Sequence, residues 1–391
     1  MLFRHQITIL GAGIAGLACA TALARRGAQV RVIEQASAMQ QQVGAGLQIS
    51  PNGAAVLRAL GVERDLAVRS PRAERVRLRD FRCGADVFRM PLSRPGHPCY
   101  LVHRADLIAL LADAARAAGA RLEPGRTVKG VALGAGRATL RFSDGAEQVA
   151  TLVAADGLRS ATRAALNPGT RPFFTGQAAW RYIMPLQAPA PPAEVEVFVG
   201  PGRHLVRYPL RNGAWMNGVA VIEREGWTAE GWHHRDDPDH LRHAFRDFAP
   251  DVQQMLAQVD KVFLWGLFRH PVAQSWHDAT AVLVGDAAHP TLPFLAQGAN
   301  MALEDAWVLA DCLAAAADQR AGFARYQALR RNRCARIVRA AGRNAWFYHL
   351  RPGPCRYAAH GALRLAGRFA PRVVAGRFEW LYGHDVTRGA A

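Results

Sequence analysis

The chain has 391 residues, half of them hydrophobic and 20% charged, a profile that excludes a disordered chain and predicts two or three structural units. Its net charge is +18, carried almost wholly by scattered arginines, since Lys129 and Lys261 are the only lysines. Without a basic run interleaved with aromatics, nucleic acid is not expected as a partner; the charge suits dinucleotides and carboxylates, with an arginine-rich coding bias as the alternative. No apolar run reaches membrane-spanning length, Met1 to Gln6 leave no room for a signal peptide, and six cysteines without paired spacing fit reduced thiols, so a cytoplasmic protein with no membrane partner is expected.

In chain order, Ile7–Leu10 predicts a buried strand, 11–16 a tight turn, the alanine-rich stretch to Arg26 a helix, and 29–34 a second strand. This is a βαβ unit. A helix follows over 104–118, with Leu107, Leu110, Leu111 and Ala114 on one face, then strands at 138–142 and 152–155 around the turn Ser143-Asp144-Gly145. From 173 to 268 alternating runs at 194–199, 204–208 and 215–222 predict a β-rich unit. A buried strand at 281–284 runs into Gly285-Asp286, a helix covers 300–317, and the arginine-rich tail beyond Arg330 is helical, broken by Pro352 and Pro354.

Gly11-Ala12-Gly13-Ile14-Ala15-Gly16 forms GxGxxG between strand and helix, and Glu34 ends the next strand. Gly11 permits the tight turn, Gly13 lets the backbone approach a pyrophosphate, and Gly16 lets helix and strand pack closely. The helix amino terminus offers N–H groups and a positive dipole end to phosphates, and Glu34 can accept ribose hydroxyls. A dinucleotide is expected here.

Ala155-Asp156-Gly157-Leu158-Arg159-Ser160 and Gly285-Asp286-Ala287-Ala288-His289-Pro290 resemble the DG and GD motifs of single-component flavoprotein aromatic hydroxylases. The segments beginning at Gly44-Ala45-Gly46, His103-Arg104 and Pro293-Phe294, and the terminal Trp380-Leu381-Tyr382-Gly383-His384-Asp385, extend the likeness over nearly the whole chain. Within the family it is most similar to salicylate, hydroxybenzoate and hydroxynicotinate hydroxylases. The resemblance implies an α/β fold: a Rossmann-like FAD-binding domain (1–75, 101–172, 271–335), interleaved substrate-domain strands (76–100 and the β-rich 173–270), and a C-terminal helical segment (336–391). It also implies one noncovalent FAD, NADH or NADPH as co-substrate, often a homodimer, and a cycle in which reduced FAD and O2 give a C4a-hydroperoxide that hydroxylates an aromatic substrate.

The cofactor-binding set implied is Gly11, Gly13, Ala15, Gly16, Glu34, Gly46, Arg104, Asp156, Gly157, Arg159, Asp286, Pro293, Gly298, Ala299 and Asn300. Asp286, at a strand end, can hold ribityl hydroxyls, and the N–H groups of Gly298, Ala299 and Asn300 can stabilise negative charge on a reduced flavin. A phenol-like substrate is activated by losing its proton. His204 and Tyr208 share one strand face and can hold and deprotonate that hydroxyl, with Gln297 as a further catalytic residue. Gln48, Arg181, Trp215 and Pro293 are the substrate-binding set. Phe268-Arg269-His270-Pro271 departs from the family's Asp-Arg-Pro, so contacts at that turn do not carry over. The cluster His233, His234, His240 and His243 lies among charged residues at a helix start and is not expected to bind metal. Alternatives are a related epoxidase, halogenase or reductase, or a non-catalytic flavin-binding protein; Trp180-Arg181-Tyr182-Ile183-Met184-Pro185 lacks the second tryptophan of the halogenase element.

Overall fold

The computed structural model describes residues 6–37, 45–134, 136–187, 189–226, 228, 230 and 234–388; Gly44 of the predicted flavin segment and His233 of the histidine cluster lie outside the described residues. Ile7–Leu10, Val30–Ile33 and Thr151–Ala154 each bury all four side chains, which suits the middle of a parallel sheet covered on both faces. They occupy that place. The five-stranded sheet runs Ala281–Leu283, Thr151–Ala154, Ile7–Leu10, Val30–Ile33, Arg121–Glu123, paired in parallel throughout. The helix Ile14–Ala24, built from small residues, packs against the helices Gly298–Ala315 and Arg104–Ala117.

A second, eight-stranded sheet runs Arg235–Asp236, Val262–Arg269, Phe173–Pro185, Trp215–Glu223, Arg203–Leu210, Glu194–Gly200, Arg75–Asp80, Asp86–Pro91. Only Glu194–Gly200 and Arg75–Asp80 pair in parallel, joining the early strands to the later β-rich run. The alternation of strand side chains gives this sheet two apolar faces. Trp180, Tyr182, Phe198, Leu205 and Met216 pack under Leu241, Phe245 and Phe248. Ala179, Val219, Val221 and Trp265 point the other way, toward Leu292, Phe294 and Ala345. This second face packs against the 292–294 turn and the long helix Gln319–Tyr348.

The helix Gln319–Tyr348 runs unbroken across residue 335, followed by Pro354–Phe369, Pro371–Gly376 and Glu379–Tyr382. Among the described residues, no helix is long and apolar enough to cross a membrane.

Candidate active site

Three turns far apart in sequence close on one another at the carboxyl ends of the parallel strands, where an open α/β sheet places its ligands. Gly11 has φ +100°, and a Cβ on it would lie 2.4 Å from the Ala155 carbonyl oxygen; one on Gly16 would lie 1.9 Å from the Gly11 oxygen. Gly285, at φ +59°, leaves room for Ala15, whose Cβ would otherwise be 2.9 Å away. Glycine is therefore required to bring 11–16, 155–160 and 285–290 together. Gly13 differs, since a Cβ there would meet nothing within 4 Å, leaving the turn open to a phosphate.

Around this turn stand polar groups that the protein itself leaves unsatisfied. Arg104 heads its helix, with Nε buried and unbonded among the described residues; burial pulls the guanidinium below its ordinary value, while Asp286 acts the other way. Asp156 accepts weakly from Thr162 N and Oγ1, both at 3.4 Å. Its Oδ1 is buried without a partner, and burial raises the carboxyl above the usual range. Gly157, at φ +73°, makes the turn that follows. Asp286 is exposed just beyond Ala281–Leu283. Glu34 is buried and braces the glycine turn, accepting from Ala12 N at 2.7 Å and Ala36 N at 2.8 Å; about two of its acceptor sites remain. An open glycine turn, two orphaned buried polar atoms and an exposed carboxylate fit the phosphates and sugar alcohol of FAD. Arg159 instead is exposed and donates to the Glu230 carbonyl at 3.3 Å. Arg163 locks the DG turn to the GD turn, donating to the carbonyls of Ala287, at 3.3 Å, and Pro271.

The amino end of the helix Gly298–Ala315 is held in place by the segments around it. Pro293–Leu295 makes a 3-10 turn, Ala296 takes a left-handed φ of +52°, and Gln297 caps Gly298–Ala315. The N–H groups of Gly298, Ala299 and Asn300 have no acceptor inside the helix and carry its positive end. Asn300 donates from Nδ2 to the carbonyls of Gln48 and Ala296, both at 2.9 Å, and accepts from Ser50 N at 3.0 Å, stitching the strand Gly46–Ile49 to the helix. Gln297 is buried; it donates to Ser50 Oγ at 2.9 Å and accepts from Asn52 at 3.1 Å, so both ends of its amide are engaged within the protein. Gln48 and Gln297 line a small cleft with Leu295 and Tyr382.

Asn52 leads inward to a buried ionic network. It donates to Glu304 at 2.7 Å; Glu304 pairs with Arg330 at 2.6 Å and Arg333 at 2.7 Å; Asp305 takes Arg330 at 2.8 Å, Gly285 N at 3.0 Å, and His289. Burial works against the charge on Glu304, yet the two arginines and Asn52 hold its carboxyl down to about 2. His289, Asp305 and Cys334 bring metal-ligand atoms within 4.8 Å of one another, but Asp305 already spends both oxygens on the contacts above.

On the inner face of the large sheet, Tyr208 pairs with Asn217 and His204 with Val221. A Cβ on Gly46 would lie 2.8 Å from the Tyr208 ring and 2.5 Å from Asn217 Cγ, so only glycine lets the strand Gly46–Ile49 approach this close. Asn217 is fully buried; it accepts from Gly46 N at 2.8 Å, and its Nδ2 has no partner among the described residues. Burial raises the Tyr208 phenol above its ordinary value, with Arg181 opposing, so it stays protonated at neutral pH. Arg181 lies over the Trp265 ring at 5.2 Å; burial pulls it down to about 10, while Tyr208 raises it and Arg104 lowers it. Trp215 is half-buried beside Tyr208 and Leu210.

His204 sits four residues from Tyr208, about 13 Å along the strand, against the rings of Phe294 and Tyr348 at 5.5 and 5.1 Å. The two residues share a face, as alternation predicts, but stand too far apart to grip one hydroxyl. Of the remaining histidine cluster, His240 bonds Asp236 at 2.9 Å and His243 bonds Arg246.

A family model described as an FAD binding domain matches residues 4–341. This chain belongs to that family. The 3-amino-4-hydroxybenzoate 2-monooxygenase PtnB3 of Streptomyces platensis is 35% identical over 401 residues, covering 98% of this chain and 97% of that protein. The 6-hydroxynicotinate 3-monooxygenase of Bordetella bronchiseptica is 31% identical, covering 88% and 92%. The crystal structure of Klebsiella pneumoniae HpxO complexed with FAD and uric acid has a TM-score of 0.82 at 26% identity, covering 96% of each chain. The chain is a flavoprotein of the monooxygenase type, and FAD is its cofactor.

Several residues that shape the site escaped the sequence reading. Asn217 carries no motif, and its pairing opposite Tyr208 depends on strand register. Glu304 and Asp305, one turn beyond Asn300, and the arginine pair Arg330 and Arg333 did offer a signal, because adjacent acids facing an i,i+3 arginine pair on the next helix suit a buried ionic lock.

Proposed function

We propose that this chain is an NADH- or NADPH-dependent monooxygenase that hydroxylates a small aromatic acid carrying a hydroxyl and a carboxylate at opposite ends of its ring. The observation that carries this reading is the spacing of polar side chains on the inner sheet face: Tyr208 and Asn217 at one end, His204 at the other, and Arg181 in register midway between them. A planar ring suits the apolar floor between them, made by Val219, Val221 and Trp265. The named relatives act on aromatic acids with such paired groups.

Bound FAD supplies the redox chemistry, accepting hydride from the nicotinamide and activating dioxygen. The chain supplies the rest. The turns at 11–16, 155–160 and 285–290, with Glu34, Arg104, Asp156 and Asp286, hold the cofactor, and the amino end of Gly298–Ala315 stabilises negative charge on it. Arg181 and the Tyr208 hydroxyl take the substrate carboxylate; His204 takes the proton of the ring hydroxyl, making the ring electron-rich. Trp215 closes the carboxylate end, Gln48 and Pro293 border the ring, and Gln297 acts as a positioning residue through Ser50 and Asn52. Assembly as a homodimer in the cytoplasm belongs to the same reading.

The test is NADH and NADPH oxidation across a panel containing 3-amino-4-hydroxybenzoate, 3- and 4-hydroxybenzoate, salicylate and 6-hydroxynicotinate. At least one acid should accelerate oxidation and yield a product heavier by one oxygen. Oxidation that no member of the panel stimulates would remove the substrate class.

A further inference from the structure

His204 does not stand alone in the sheet. Its Nδ1 lies 2.7 Å from Nε2 of His349, at the carboxyl end of the helix Gln319–Tyr348. Nδ1 of His349 in turn lies 3.1 Å from Oε1 of Glu223, the last residue of the strand Trp215–Glu223. The exposure changes along this line: His204 is 2% exposed, the His349 side chain 1%, and the Glu223 side chain 44%. Three hydrogen-bonding side chains thus run from the buried inner face of the sheet to solvent. Gln177 flanks the middle of the line, its side-chain amide 3.3 Å from the same His349 nitrogen; with the amide turned so that its oxygen faces inward, it accepts from that N–H beside Glu223. His204 Nε2 has no hydrogen-bond partner among the described residues.

We propose that His349 and Glu223 form a relay that carries the proton of the substrate hydroxyl from His204 to solvent. The inference rests on the reading of a phenolic substrate given above. In the resting arrangement His204 Nδ1–H donates to His349 Nε2, and His349 Nδ1–H donates to the Glu223 carboxylate, which leaves the lone pair of His204 Nε2 for the substrate. As the substrate O–H bond breaks, its electron pair stays on the oxygen and an N–H bond forms at His204 Nε2. The Nδ1 proton of His204 passes to His349 Nε2, the Nδ1 proton of His349 passes to Glu223, and Glu223 releases it to water. Each bond broken is matched by one formed, and no oxidant or reductant takes part.

The surroundings explain why a base here needs a relay. Burial, reinforced by His349, keeps His204 well below the ordinary histidine value. It is a neutral acceptor, but its cation is too costly to persist among Phe294, Tyr348 and the apolar sheet floor. A proton taken there has to move on. His349 is itself lowered by burial, while Glu223 acts to raise it, so the path becomes more favourable toward the carboxylate. Of the groups facing the two imidazoles among the described residues, Glu223 and Tyr348 are titratable; burial pushes the Tyr348 phenol up to about 12, which keeps it neutral.

The test is a stopped-flow pH jump on the FAD-loaded oxidised enzyme with 3-amino-4-hydroxybenzoate, following phenolate absorbance before any turnover. Glu223→Gln keeps the shape of a half-exposed side chain, and His349→Gln is the second variant. Both should slow ionisation of the bound phenol by about tenfold or more with FAD content and ligand affinity within about twofold of wild type, and small basic buffers such as imidazole should restore part of the rate in Glu223→Gln. Glu223→Asp should recover more of the rate than Glu223→Gln. Wild-type ionisation rates in both variants would overturn the relay while leaving the hydroxylase reading intact. A wild-type enzyme that neither ionises nor hydroxylates this or any other phenol of the panel would overturn the reading beneath, and the relay with it.

Discussion

Replacing Glu304 by glutamine removes the charge against which the buried Arg330 and the partly buried Arg333 are set. Glu304 has no exposed surface, and its partners Arg330 and Arg333 are 1% and 11% exposed. Its carboxyl is held at about 2 against an ordinary 4.5, which corresponds to about 3 kcal/mol of folding stability at neutral pH. That matches the cost of about 3–5 kcal/mol for breaking a buried pair by removing one partner. Because the folded-state value is depressed, this contribution is complete above about pH 4.5 and is lost as the pH falls toward 2; roughly 1–1.5 kcal/mol should be gone by pH 3.5. Urea titration followed by tryptophan fluorescence at pH 7 and about pH 4 measures it. The variant should be much less stable at pH 7, and the gap should narrow on acidification. A loss under about 0.5 kcal/mol at pH 7, or a gap that does not narrow, would refute the assignment of this network as a stabilising lock.

Asp286→Ala removes an exposed carboxylate from the cofactor cleft. Hydrogen bonds to charged groups are worth about 1.5–3 kcal/mol, so FAD should be held about tenfold or more less tightly; full yellow occupancy after gel filtration would show that Asp286 lies outside the cofactor site. Gly46→Ala forces a methyl against Tyr208 and Asn217 at 2.5–2.8 Å. About 1–3 kcal/mol of overpacking should appear as a lower melting temperature and a raised KM for the aromatic acid, and an unchanged KM counts against that contact. Tyr208→Phe deletes one donor worth about 0.5–1.5 kcal/mol: KM should rise about threefold to tenfold for carboxylated rings and stay level for the matching phenols without the acid.

Much of this architecture was legible because it is local. Four-residue runs such as Ile7–Leu10, apolar but for Thr8, declare a buried strand by their apolar majority, and the glycines at 11, 13 and 16 sit where backbone approach demands them. Alternation alone placed His204 and Tyr208 on one face. What stayed hidden depends on contacts that a linear pattern does not carry. Gln297 takes its partner Ser50 from 247 residues away, so nothing near it told an engaged amide from a pocket one. His349 lies 145 residues from His204 and follows an aromatic helix end that reads as ordinary core. The distance between His204 and Tyr208 was implicit in strand geometry, yet its consequence emerged only once Asn217 was seen opposite Tyr208 and Arg181 between the two. Arg159 ends a 3-10 turn and Arg163 lies in the short helix that follows, and only the contacts of Arg163 with the Ala287 and Pro271 carbonyls show which of them faces inward.

The most direct test of the central claim is hydroxylation under 18O2 with NADH or NADPH and whichever aromatic acid of the panel most stimulates oxidation, with the product analysed by mass spectrometry. The structure predicts one 18O atom per product molecule, on the ring and drawn from the gas rather than from water. A product without 18O, or oxidation that ends only in hydrogen peroxide with every acid of the panel, would contradict it.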